Sequence, residues 1–114
     1  MGVIVTMDVA LERAPGHTLV TVAGEVDLAT APALASALSE VTEADGPLVI
    51  DLTEVAFLDS SGLSVLLQAR ERLGGGGVVR LVAKRPAILR VLAVTGLDEV
   101  FSVFPTVGEA ASGS

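Results

Sequence analysis

The sequence predicts an α/β domain: a mostly parallel mixed sheet of four to five strands, opened by an N-terminal hairpin and carrying three to four helices. Three observations lead there. Two β-branched runs flank Pro15-Gly16, and beyond them segments of helical apolar spacing alternate with short apolar runs. The stretch Pro47-Leu48-Val49-Ile50-Asp51-Leu52 has the near-continuous hydrophobicity of a strand covered on both faces.

Residues 3–11 and 17–24 are the hairpin strands, and Pro15-Gly16 supplies the turn. Over 30–44 the period changes: Thr30 is the expected helix N-cap, Pro32 sits in the first turn, and Leu34, Leu38 and Val41 share a face. Asp45-Gly46-Pro47 ends that helix and the buried strand follows. A loop from Thr53 to Asp59 then leads to a second helix, Ser60 to Leu73, with Leu63, Leu66 and Leu67 toward the sheet. Gly74 to Gly77 stop it. A strand follows these glycines, so they read as a tight connection; a phosphate cradle needs a helix there. Residues 78–83 are the next strand, Arg85-Pro86 opens a helix ending near Gly96, and 100–104 form a last short strand. Residues 1–104 make one domain, and 105–114 are expected to be a short flexible tail.

Composition narrows the function classes. The chain has 114 residues, 51 % of them apolar but only 3 % aromatic, with no Trp or Tyr. Val, Leu, Ile and Ala must build the core, and three Phe give no platform for stacking bases. A net charge of −7 has the wrong sign for tracking phosphates, so no direct nucleic-acid partner is expected. Without Cys there is no disulfide, thiolate nucleophile or thiolate zinc site, and His17 has no second imidazole beside it. Mean hydropathy is +0.70, yet no uncharged run approaches the ~18 residues of a membrane span. The first ten residues lack the basic start of a signal peptide, so a cytoplasmic location is expected. Charge is uneven: residues 1–69 carry ten acids and the single base Arg13, whereas 70–90 carry six bases and one acid. That asymmetry suits the orientation of a protein partner, and equally describes ordinary solvated faces.

Asp59-Ser60-Ser61-Gly62-Leu63 is the most informative stretch. Asp and Ser are preferred helix caps, which is one complete reading of it. A second is a phosphorylation site: the hydroxyl is exposed, and a phosphate there meets the positive helix end and free amides. Its effect would be felt outward, as about two added negative charges beside Asp27 and Asp59. Serine hydrolysis lacks a base, since His17 lies in the hairpin, and lacks the G-x-S-x-G elbow. A magnesium cluster of Asp27, Asp51 and Asp59 would have only Lys84 as its cation.

Taken together, Gly24-Glu25-Val26-Asp27, then Val49-Ile50-Asp51-Leu52, then Phe57-Leu58-Asp59-Ser60-Ser61-Gly62-Leu63 resemble the STAS domain of bacterial anti-sigma factor antagonists. The likeness covers about residues 3–104. It implies a partner-switching protein that is not itself an enzyme and needs no cofactor or metal. Unphosphorylated, such a protein binds a cognate anti-sigma factor that is also a GHKL-type serine kinase, and thereby frees the sigma factor. Phosphorylation breaks the complex and a PP2C-type phosphatase restores it. By the resemblance the acceptor is Ser60, with Ser61 a neighbour, and the loop acids are Glu25 and Asp27. Leu63 reads as core, and Leu58 is open between core and interface. The partner-binding set is then Glu25, Asp27, Leu58, Asp59, Ser61 and Gly62. Ser64 stands where the best-known members carry Gly. The free protein is expected to be a monomer. A different class, a non-phosphorylated STAS scaffold in a signalling complex or an ABC-type lipid transporter, is the alternative. A small nucleotide-binding enzyme would need a phosphate loop or catalytic dyad that the sequence lacks.

Overall fold

The computed structural model describes residues 7–74 and 78–113. Five strands, β1 (Met7–Ala14), β2 (His17–Val26), β3 (Leu48–Leu58), β4 (Val79–Val82) and β5 (Ser102–Phe104), lie in sequential order in one sheet. The β1–β2 hairpin is antiparallel and every later neighbour is parallel, as the element order requires. Helices α1 (Ala31–Leu38), α2 (Ser60–Arg72), α3 (Pro86–Val94) and α4 (Leu97–Val100) supply Leu34, Leu38, Leu63, Leu66, Ile88, Leu92 and Leu97 to a core over one sheet face. Val20, Val22, Ile50, Leu52 and Leu81 meet them from the strands. The expected α/β architecture is the observed one.

Three elements depart from expectation, and two expected features cannot be compared. The hairpin start at residues 3–6 and the glycines 75–77 lie outside the described residues. Helix α1 stops at Leu38, well short of residue 44, and a single 3-10 turn at Glu43–Asp45 fills the gap to β3. Residues 53–58, expected as loop, continue β3. Between Thr21/Ala23 and again between Gly24/Glu25, β3 takes one more residue than β2, and these bulges destroy the period-2 pattern that would have marked a strand.

The tail is the third correction. Residues Val107–Ser112 form helix α5 instead of a flexible end. Ala110 is 0 % exposed and seats on Val49 and Val82 across the second face of the sheet, with Leu19, Phe104 and Val107 around them. Thr106 Oγ1 caps its start, accepting from the Glu109 amide at 3.1 Å. Arg80 Nη1 closes its end, donating to the Ala110 carbonyl oxygen at 3.0 Å. Composition alone concealed this, because Ala110 is the helix's one buried residue in a stretch otherwise rich in Gly and Ser.

Candidate functional site

Strands β2 and β3 run parallel, so the segments following them emerge at one end of the sheet, where α/β folds gather their sites. Val26 and Leu58 are paired in register, and the Asp59 amide donates to the Val26 carbonyl oxygen at 3.1 Å. Glu25-Asp27 and Asp59-Ser61 therefore lie on neighbouring strand ends, as the paired sequence stretches implied.

Asp59 caps α2: its Oδ1 accepts from the Ser61 amide at 2.9 Å and the Gly62 amide at 3.3 Å, and its carbonyl oxygen accepts from Leu63. Ser60 is the first residue of the helix and is exposed; Ser61 is half-buried. The capping geometry revises one expectation. Amides that a Ser60 phosphate would have met free are already bonded to the Asp59 carboxylate, so a phosphate would compete with that carboxylate and repel it.

Leu58 and Gly62, expected in the partner-binding set, offer little surface in this structure. Leu58 is 3 % exposed and sits in the core. Gly62 is buried and faces inward, its Cα against Val26 and Leu58. Glu25 is exposed, pairing in register with Phe57, itself 50 % exposed. Asp27 is half-buried, and its Oδ1 accepts from the Ala29 and Thr30 amides at 3.0 and 3.1 Å. Thr30 does not cap α1 with its side chain; its Oγ1 turns back to accept from the Asp27 amide and donate to the Glu25 carbonyl oxygen. Between them Leu28 stands 78 % exposed. Sequence reasoning passed over Leu28, Phe57 and the bonding of Thr30; an apolar residue after an expected strand end was the available signal for the first.

The remaining chemistries fail on position. His17 begins β2 at the hairpin turn, about 30 Å along the strand from Val26, too far to serve Ser60 as a base. Asp51 spends its Oδ1 on the Thr53 amide and hydroxyl, at 2.9 and 2.7 Å. Among the described residues no group of acids and His is arranged to hold a metal, and no helix is long and apolar enough to cross a membrane.

An exposed serine at the capped start of a helix, at the sheet end that also carries Glu25 and Asp27, is set in a small α/β domain. The chain belongs to the STAS domain family, whose profile matches residues 8–110. It is 40 % identical over 100 residues to the anti-sigma-F factor antagonist RsfB of Mycobacterium tuberculosis, covering 86 % of this chain and 81 % of that one. It is 34 % identical over 100 residues to the anti-sigma-B factor antagonist of Listeria monocytogenes, covering 86 % and 88 %. A crystal structure of an anti-sigma factor antagonist from Mycobacterium paratuberculosis superposes with a TM-score of 0.84 at 42 % identity, over 93 % of this chain and 92 % of the other.

Proposed function

We propose that this protein is an anti-sigma factor antagonist that works by partner switching. Unphosphorylated, it binds a cognate anti-sigma factor of the GHKL serine-kinase type and releases the sigma factor that the kinase held. The kinase brings ATP and magnesium and phosphorylates Ser60, which ends the complex; a PP2C-type phosphatase returns the protein to its binding form. The observation that carries this reading is the exposure of Ser60 one residue after Asp59, at the end of the sheet that also bears Glu25 and Asp27. A dianion on Ser60 adds about two charges next to Asp59, whose carboxylate is fixed by the Ser61 and Gly62 amides. In a desolvated interface that crowding is enough to supply ~3 kcal/mol, more than a hundredfold in Kd. The protein acts as substrate and binding partner, in the cytoplasm, and Asp27 serves by shaping its turn.

The test is calorimetric titration of the cognate kinase with wild type, Ser60→Ala and Ser60→Glu. Wild type and Ser60→Ala are expected to bind alike and Ser60→Glu at least about tenfold more weakly. Equal affinity of all three removes the switch and favours the scaffold reading. Peptide mass spectrometry across Phe57–Arg70, on protein from growing and stressed cells, then asks whether Ser60 carries phosphate.

A further inference from the structure

The turn from β2 into α1 is braced heavily for an exposed loop. Thr30 Oγ1 accepts from the Asp27 amide at 2.9 Å and donates to the Glu25 carbonyl oxygen at 2.8 Å. Asp27 Oδ1 takes the Ala29 and Thr30 amides, and the Asp27 carbonyl oxygen takes the Ala31 amide at 2.8 Å. Such side-chain bonds to nearby backbone replace the freedom of a loop with one conformation. What they fix in water is Leu28, 78 % exposed. A leucine side chain gains by leaving water, and docking into a partner's pocket is a way for one held in this position to do so.

Leu28 also stands at a defined place. It lies two residues beyond Val26, and Ser60 lies two residues beyond Leu58, its registered neighbour. The Asp59–Val26 hydrogen bond ties the two strand ends together. An apolar anchor held rigid before binding loses little entropy on docking, which is how a few residues come to dominate an interface.

We infer that Leu28 is the apolar anchor by which the anti-sigma factor kinase grips this end of the sheet, entering a hydrophobic pocket on that partner, and that Thr30 is the positioning residue that presents it. The inference rests on the proposed function and adds residues to its surface. Ser60 and Leu28 each follow one of two registered neighbours, so a phosphate and the anchor share one end of the sheet.

The experiment uses the full chain against the cognate kinase in calorimetry, with unfolding followed in parallel. Leu28→Ser is expected to weaken binding by about tenfold or more. Val94→Ser, at a residue equally exposed on α3, is expected to leave it unchanged. Thr30→Val, which keeps the shape and loses the hydroxyl, is expected to weaken binding several-fold and speed amide exchange at Ala29 and Thr30; Thr30→Ser is expected to restore both. Wild-type affinity for Leu28→Ser overturns the anchor. Wild-type affinity for Thr30→Val, with its amide exchange raised, overturns the positioning role. Ser60→Glu in the same series separates the two levels: if it too binds like wild type, the switch itself fails, whereas weak binding by Ser60→Glu with normal binding by Leu28→Ser sinks the present inference alone.

Discussion

Gly62 packs its Cα against the side chain of Val26: a Cβ added at Gly62 would lie 2.6 Å from Val26 Cγ1, and equally 2.6 Å from Leu58 Cδ1. The Val26 contact yields least, because that valine is buried and β-branched with restricted rotamers, while the Leu58 methyl can turn only within a buried site. The first turn of α2, and with it Ser60, is therefore set on the two strand ends by the absence of a side chain.

Gly62→Ala follows directly. Alanine gains up to ~1 kcal/mol of helix propensity over glycine. Overpacking costs typically about 1–3 kcal/mol and rises when the neighbours cannot yield, so the clash prevails. We expect a net loss of roughly 1–2 kcal/mol and a melting temperature lower by roughly 5–10 °C, read by thermal unfolding. A variant as stable as wild type would mean that α2 can lift from the sheet without cost.

The 3-10 turn before β3 carries a pH-sensitive contact. The Thr42 amide, at 2.8 Å from Asp45 Oδ2, and then the Arg13 guanidinium, at 3.2 Å from Oδ1, hold the Asp45 carboxyl below the ordinary aspartate range. A carboxyl whose folded-state pKa is depressed stabilises the fold above its unfolded-state pKa, and that stability is lost as pH falls through the folded value. Urea midpoints of wild type should therefore fall between pH 6 and pH 3 by more than those of Asp45→Asn, the difference arising below about pH 4. Parallel acid limbs for the two proteins would contradict this.

The sequence displayed α2 and its cap because those signals are local: Asp59 is followed by two serines and a regular leucine spacing, and the observed helix begins at Ser60. The parallel order was legible from the alternation of strand and helix patterns after the hairpin. What escaped depends on the neighbour and not on the segment. The upper half of β3 is a strand only because β2 runs beside it, and its two bulges place Val55 and Leu58 inward while Glu54, Ala56 and Phe57 face out. That spacing also buries Leu58, which the local pattern leaves open between core and interface. Thr30 reads as a cap by identity and position, but its hydroxyl turns away from the helix it precedes.

Arg72 is a connection no local pattern announces. Its Nη1 donates to the Val41 carbonyl oxygen at 2.8 Å and its Nη2 to the Leu38 carbonyl oxygen at 2.6 Å, joining the end of α2 to the end of α1. The planar fork spans both acceptors at once, which a single ammonium does not reproduce. Arg72→Lys should cost about 1 kcal/mol despite conserving the charge, and Arg72→Ala about as much or somewhat more. Denaturant midpoints check this, and high salt should change the wild-type value little, since the acceptors are carbonyls and not carboxylates. A lysine variant indistinguishable from wild type would show that one of the two bonds carries nothing.

Helix α5 is six residues long, far below the length at which an isolated helix persists in water, so its contacts with the sheet must hold it. Ala110 against Val49 and Val82 is the apolar part, and the bonds from Arg80 to its last carbonyls are the polar part. Ala110→Glu places a carboxylate where no water reaches, and the cheapest response is for the helix to leave the sheet rather than for the sheet to open. The expected loss is about 1–3 kcal/mol. Amides of Val107–Gly113 should lose their protection from hydrogen exchange, while those of β2 and β3, most of whose buried residues lie on the other face, keep theirs. Loss of protection in every strand together would instead make α5 an integral part of the cooperative fold. Unchanged protection throughout would mean that Ala110 does not anchor it.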